Sequence, residues 1–206
     1  SAATVGVRIR LANDARAIQA ARVRVALIDA AGREVAQATL AATVPAGAVR
    51  EMATDLSVTS PHLWQGTADP YLYRLSVTVL GHDGSVRDTL EQPFGIRTMA
   101  FDPERGFFLN GQPYRLRGVG YHQDRDGKGW AISRADVEED VATIREMGAN
   151  SIRLTHYQHG ADIHEIADRE GIVLWDEIPL VSVWTEGKPE PDPALVANAR
   201  QQLSEL

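Results

Sequence analysis

RLRGVGYHQDRDGKGWAISRADVEEDVATIREMGANSIRLTHYQHGADIHEIADREGIVLWDEIP, residues 115–179, is the stretch that decides the fold. Three short apolar runs, at residues 116–119, 151–154 and 172–175, alternate with two segments of helical period. Each run leads into polar side chains able to do chemistry. Tyr121-His122-Gln123-Asp124 follow the first, Arg153 lies in the second with Thr155-His156-Tyr157 after it, and Asp176-Glu177 follow the third. Strand, helix, strand, helix, strand, with such residues just past each strand, is how a (β/α)8 barrel opens. That fold builds its site at the C-terminal ends of its strands.

The intervening helices are well signalled. Ser133 with Asp136 makes a capping-box start, and Val137, Val141, Ile144 and Met147 form one apolar stripe that Gly148 ends. A second helix is expected over residues 162–169, with Ile163, Ile166 and Ala167 inward and Gly171 as its stop. A third is expected over residues 193–206, with Leu195, Ala199 and Leu203 on one face. Three βα units cannot close a barrel, so the chain is expected to be cut from a longer one and to self-associate through its raw sheet edge.

N-terminal to this stretch the period changes. From residue 4 to about residue 98 apolar and polar residues alternate, as in Val5, Val7, Ile9 and Leu11 or Val23, Val25 and Leu27. Further strands are expected over residues 35–42, 49–58, 72–80 and 85–94, the alanine-rich 36–48 being the weakest on propensity. Turn residues punctuate them at Asn13-Asp14, Ala31-Gly32, Pro45-Ala46-Gly47 and His82-Asp83-Gly84. This pattern predicts an antiparallel β-sandwich of immunoglobulin type over residues 1–97, followed by the first three βα units of a TIM barrel over residues 98–206. Trp64, Tyr71 and Tyr73 are expected to plug the sandwich, and Asn110-Gly111 to turn a hairpin over residues 107–114.

Composition narrows the function. A net charge of -7 argues against a nucleic-acid partner, and no apolar run approaches the ~20 residues of a membrane span. Without cysteine there are no disulfides or thiolate metal sites. The sequence has no HExxH, P-loop, GxGxxG after a strand or GxSxG elbow, so nucleotide cofactors and serine hydrolysis are not expected. The chain begins with Ser1, which reads as a processed, tagged or excised N-terminus, and localisation is left open.

The candidates for chemistry are the residues at the strand ends. His122 can donate to a hydroxyl or act as an acid or base, and His156 stands with Tyr157 at the expected rim. Arg153, inside an apolar strand, must meet a carboxylate or a ligand. Asp176 and Glu177 do not make a glycosidase acid/base pair, because adjacent strand residues point to opposite faces; one of the two can face the pocket. Asp124 and Asp126 share a loop face suited to water or a cation, and His159 and His164 are expected to face solvent.

A family resemblance joins these residues. Leu63-Trp64 with Pro70-Tyr71-Leu72-Tyr73, Phe94-Gly95-Ile96-Arg97 and Phe108-Leu109-Asn110-Gly111 stand in the order of its motifs. So do Arg117-Gly118-Val119 with His122, Asp140 with Gly148-Ala149-Asn150, Arg153 with His156-Tyr157, and Asp168 with Gly171 and Asp176-Glu177. The chain resembles glycoside hydrolase family 2, which holds bacterial β-galactosidases, β-glucuronidases and β-mannosidases. It departs at Gly120, where the family usually has Asn, and at Gln158, where it has Pro.

The resemblance implies a retaining β-glycosidase acting on carbohydrate, most like a β-galactosidase cleaving terminal β-galactosides. β-Glucuronides, β-mannosides and a non-catalytic carbohydrate-binding or assembly module stay open. It assigns substrate binding to His122, Arg153 and His156, with Asp124 and Glu177 beside them. It also implies a catalytic acid/base glutamate on the fourth barrel strand and a nucleophile on the seventh, neither of which is in this sequence. No residue here is therefore assigned a catalytic role, and the chain alone is expected to be inactive. No cofactor is implied, a divalent cation in the parent is left open, and so is homo-oligomerisation.

Overall fold

The computed structural model describes residues 2–180 and 192–206. It divides into two compact units, Ser1–Trp64 with Tyr71–Thr98, and Gln65–Pro70 with Met99–Leu206.

The first unit is the sandwich. Its strands are β1 (Ala2–Ala12), β2 (Gln19–Ile28), β3 (Glu34–Val44), β4 (Val49–Thr59), β5 (Tyr73–Gly81) and β6 (Val86–Phe94). β1 pairs with β4, while β3-β2-β5-β6 form a four-stranded sheet, every pairing antiparallel. The alternation predicted from sequence becomes the core: Val5, Val7, Val23, Val25, Leu27, Leu56, Val58, Tyr73 and Leu75 are buried together. Burying such side chains stabilises by about 1.5–3 kcal/mol each, and this holds the two sheets face to face. The alanine-rich run is strand β3, because its full-length ladder with β2 outweighs poor intrinsic propensity.

Trp64 is fully buried, its backbone N–H donates to Ile96 at 2.9 Å, and the Arg97 guanidinium lies 4.6 Å from its ring centroid. Tyr73 is buried with its hydroxyl accepting from the His62 N–H at 2.8 Å, and Tyr71 stacks on His62 at 3.8 Å. These aromatics are packing elements of the sandwich.

The second unit opens with strands β7 (Met99–Asp102), β8 (Gly106–Leu109) and β9 (Gln112–Pro113), an antiparallel sheet. Asn110 and Gly111, at φ 52 and 75°, turn the β8–β9 hairpin. The β7–β8 hairpin is an addition to the sequence reading; Asp102 caps its turn by accepting from the Glu104 and Arg105 N–H groups.

The barrel portion follows as β10 (Gly118–Tyr121), α1 (Arg134–Glu146), β11 (Ser151–Leu154), α2 (Ala161–Glu170) and β12 (Val173–Trp175), with α3 (Pro193–Glu205) last. β10, β11 and β12 lie in that order as a parallel sheet. The first strand starts two residues later than its apolar run suggests. The buried Asn150 amide explains the shift. Its Oδ1 accepts from Arg117 N–H at 2.7 Å and its Nδ2 donates to the Arg115 carbonyl at 2.9 Å, so the ladder can begin only at Gly118.

α1 carries the expected capping box between Ser133 and Asp136. Val137, Val141 and Ile144 are buried with Ile152, Leu154, Ile163, Ile166 and Ala167 in the core between sheet and helices. Met147 leaves the predicted stripe and is exposed. Ten residues beyond Val137 at about 100° each leaves it about 80° off the stripe. Leu203 is likewise exposed on α3, although Leu195 and Ala199 are half-covered.

Candidate functional site

The register of the parallel sheet sorts its side chains. Val119, Ile152 and Leu174 are partners across the strands and belong to the helix-side core, whereas Gly120, Arg153 and Trp175 are partners on the opposite face. Arg153 therefore stands on the face away from the helices and is exposed there, one residue from the strand's C-terminal end.

Glu177 meets it from beyond the end of β12. Arg153 Nε donates to Glu177 Oε1, and His156 Nδ1 lies 3.2 Å from Glu177 Oε2. One carboxylate thus engages both groups, and of the two partners expected for Arg153, a carboxylate or a ligand, it is the carboxylate that the structure shows. The hydrogen bond to Arg153 holds the Glu177 carboxyl below the usual carboxylate range, opposed by partial burial and reinforced by His156. At neutral pH Glu177 is therefore an acceptor and an anchor, not a proton donor. His156 Nδ1 also lies 3.5 Å from Arg153 Nη2, so this one ring nitrogen borders both members of the ion pair. The Thr155–His156 peptide is cis. His122, just past β10, sets its ring edge-on to His156 with centroids 5.3 Å apart.

Four of the five sequence candidates, His122, Arg153, His156 and Glu177, therefore converge at the C-terminal ends of the three strands. Asp124 does not join them: it is exposed on the following loop, and among the described residues no hydrogen bond or ion pair ties it to the cluster. Asp126 is exposed on the same loop. Asp176 diverges from Glu177 as expected for adjacent residues and accepts from His164 Nε2 at 2.8 Å.

The expectation for His159 fails. It is buried, its Nε2 bonds the Thr155 carbonyl at 3.1 Å, and its ring stacks on Tyr157 at 5.0 Å. The chain turns back after β11, and the imidazole closes that turn four residues from Thr155. With Nε2–H donating, Nδ1 is left buried without a partner. Burial pushes this imidazole's proton affinity below the usual histidine value. His164 is part-exposed, as expected, but is engaged by Asp176.

Several further residues frame the cluster. Tyr157 Oη accepts from the Gln123 N–H at 3.1 Å, and Gln123 Oε1 accepts from the Gly160 N–H at 2.6 Å, lacing the first and second strand-end loops together. Tyr121 donates to Asp140 at 2.9 Å; burial first, then that bond, raise its hydroxyl above the usual phenol range. Trp130 stacks on Tyr157 at 4.7 Å. Its one sequence signal is an indole placed in a charged, glycine-flanked loop just after His122.

The arrangement offers a cation held by a carboxylate, two imidazole rings and a stacked aromatic wall on an accessible face. Such a set recognises polar, hydroxyl-rich ligands by directional hydrogen bonds.

Comparison with known proteins agrees with this architecture. Residues 1–97 match the model described as "Glycosyl hydrolases family 2", and residues 103–199 match "Glycosyl hydrolases family 2, TIM barrel domain". The chain is 42% identical over 153 residues to a β-glucuronidase of Bacteroides fragilis, covering 73% of this chain and 22% of that protein. It is 31% identical over 196 residues to a β-galactosidase of Bacteroides ovatus, covering 95% of this chain and 23% of that one. Among solved structures it is similar to a Bacteroides uniformis β-glucuronidase, with a TM-score of 0.89 and 29% identity over 99% of this chain and 24% of that chain. The chain thus spans under a quarter of the length of these relatives.

Proposed function

The chain belongs to glycoside hydrolase family 2, and from that premise we infer that it is a section of a larger retaining β-glycosidase in which His122, Arg153, His156 and Glu177 bind the terminal sugar. The observation that carries this reading is the Arg153–Glu177–His156 cluster with the His122 ring against it, set at the C-terminal ends of parallel strands where barrel enzymes work. In such an enzyme a carboxylate attacks the anomeric carbon to form a glycosyl-enzyme, which water then hydrolyses. The residues here would hold the sugar's hydroxyls while those steps proceed on glutamates supplied from elsewhere in the enzyme. Glu177 would orient His156 and neutralise Arg153.

The charge of the cluster favours a neutral sugar. Glu177 is ionised and already neutralises Arg153, which leaves no spare cation within the four-residue cluster for a substrate carboxylate. A terminal β-galactoside, the neutral sugar that the family resemblance favours, is the first reading. A β-glucuronide is the second, supported by the identity to the B. fragilis β-glucuronidase.

Hydrolysis of nitrophenyl β-galactoside, β-glucuronide and β-mannoside separates them. The parent enzyme is expected to turn over the galactoside, the Arg153→Ala variant to lose about 100-fold or more in kcat/KM, and the 206-residue chain alone to release nothing. Preference of the parent for the glucuronide would promote the second reading. Turnover by the isolated chain would mean that one of its own carboxylates is catalytic.

A further inference from the structure

Trp130 is an exposed aromatic that the sugar-binding cluster leaves unused. It is 66% exposed. A single apolar side chain in water needs no explanation by itself, but this one has a built setting.

One face of the indole is backed. Trp130 stacks on Tyr157 at 4.7 Å and 29°, and Tyr157 in turn stacks on the buried His159 at 5.0 Å and 18°. Its loop is also fastened. Lys128 Nζ reaches both oxygens of Asp136 at 2.7 and 2.8 Å, and Arg125 Nη1 donates to the same carboxylate at 2.6 Å. Backbone bonds between Arg125 and Gly129, and from Ala131 N–H to the Lys128 carbonyl, close the turn on either side of the indole. Asp136 is thereby both the N3 partner of Ser133 in the capping box of α1 and the post to which the loop is tied. An indole held this way has little ordering left to lose when a ligand arrives.

The position is equally specific. Tyr157 lies 6.4 Å ring to ring from His122, which is itself 5.3 Å from His156. Trp130 is thus the outer end of a line of rings that starts in the cluster. A pyranose presents a C–H face that rests on an indole and a rim of hydroxyls that stays in water. This is the usual division of labour between apolar wall and placed polar groups.

We propose that Trp130 is the stacking platform for the second sugar of the substrate, the one on the leaving-group side of the scissile bond. The proposal rests on the glycosidase reading: with the terminal sugar held by the cluster, the next position outward belongs to the leaving group. The enzyme should then favour hexopyranosyl leaving groups over small alkyl ones.

The test uses the parent enzyme as wild type, Trp130→Ala and Trp130→Phe, each assayed on a β-linked disaccharide and on the methyl glycoside of the same terminal sugar. Trp130→Ala is expected to raise KM for the disaccharide about five- to tenfold, and Trp130→Phe to recover most of that loss. The methyl glycoside should change by less than about twofold in either variant. Equal losses on both substrates, or none on either, would overturn the platform. A wild-type enzyme that cleaves neither substrate would instead sink the glycosidase reading, and the platform with it.

Discussion

At the scale of single residues, the site is a set of shared carboxylates. Glu177 serves Arg153 and His156; Asp136 serves Ser133, Lys128 and Arg125. That Arg153 would meet either a carboxylate or a ligand was legible in the sequence, because a charged side chain in an apolar strand cannot stand alone. The divergence of Asp176 from Glu177 was legible for the same sort of reason, since strand geometry alternates. His159 was not legible: its burial comes from a fold-back after β11 that no spacing announces. That burial has a pH consequence. A histidine whose folded proton affinity is depressed leaves the unfolded state holding more protons once the pH drops below about 6.5, so stability falls as pH falls through that range. His159→Phe keeps an aromatic in the stack and removes the titration. The urea midpoint of the wild type is expected to decline from about pH 7.5 to about pH 5 more steeply than that of His159→Phe. Parallel curves for the two proteins would refute the assignment.

At the scale of elements, helix ends were read more accurately than strand ends. Ser133, Asp136, Gly148 and Gly171 each act as sequence signals predict, because caps are local chemistry. The start of β10 was misplaced because a distant side chain, Asn150, occupies the backbone groups that an apolar run alone would have paired. The two glycine stops make a controlled comparison. Gly148 and Gly171 have φ of 80 and 77°, but a Cβ on Gly148 would meet nothing within 4 Å, while one on Gly171 would lie 2.3 Å from the Gly66 carbonyl oxygen. Gly148→Ala should therefore cost about 1–2 kcal/mol, the left-handed penalty alone. Gly171→Ala should cost that plus a backbone displacement, at least about 2 kcal/mol more. Chemical denaturation of the two variants measures both; equal losses would mean that the crowding at Gly171 relaxes freely.

At the scale of the whole molecule, the two architectures announced themselves by period: about 2 for the sandwich and about 3.6 between the apolar runs of the barrel portion. The β7–β8 hairpin was missed because its strands are only four residues each, too short to show a period. Among the described residues, β10 and β12 each have a neighbour on one side only. Unpaired edges of this kind recruit partners. The 206-residue chain is expected to self-associate as its concentration rises into the tens of micromolar, which light scattering would read directly. A monomer throughout would show that these edges are protected. The Arg153–Glu177 pair has a bearing on this assembly too. It joins neighbouring parallel strands, and Arg153 is aligned with Trp175. A slip of β12 by one residue would send Trp175 to the helix side and carry Glu177 away from Arg153. His156 and His164 would lose their separate carboxylates in the same movement. The side chains proposed to hold the sugar thus also proofread strand alignment, and a chain that has folded out of step is marked by the absence of this geometry.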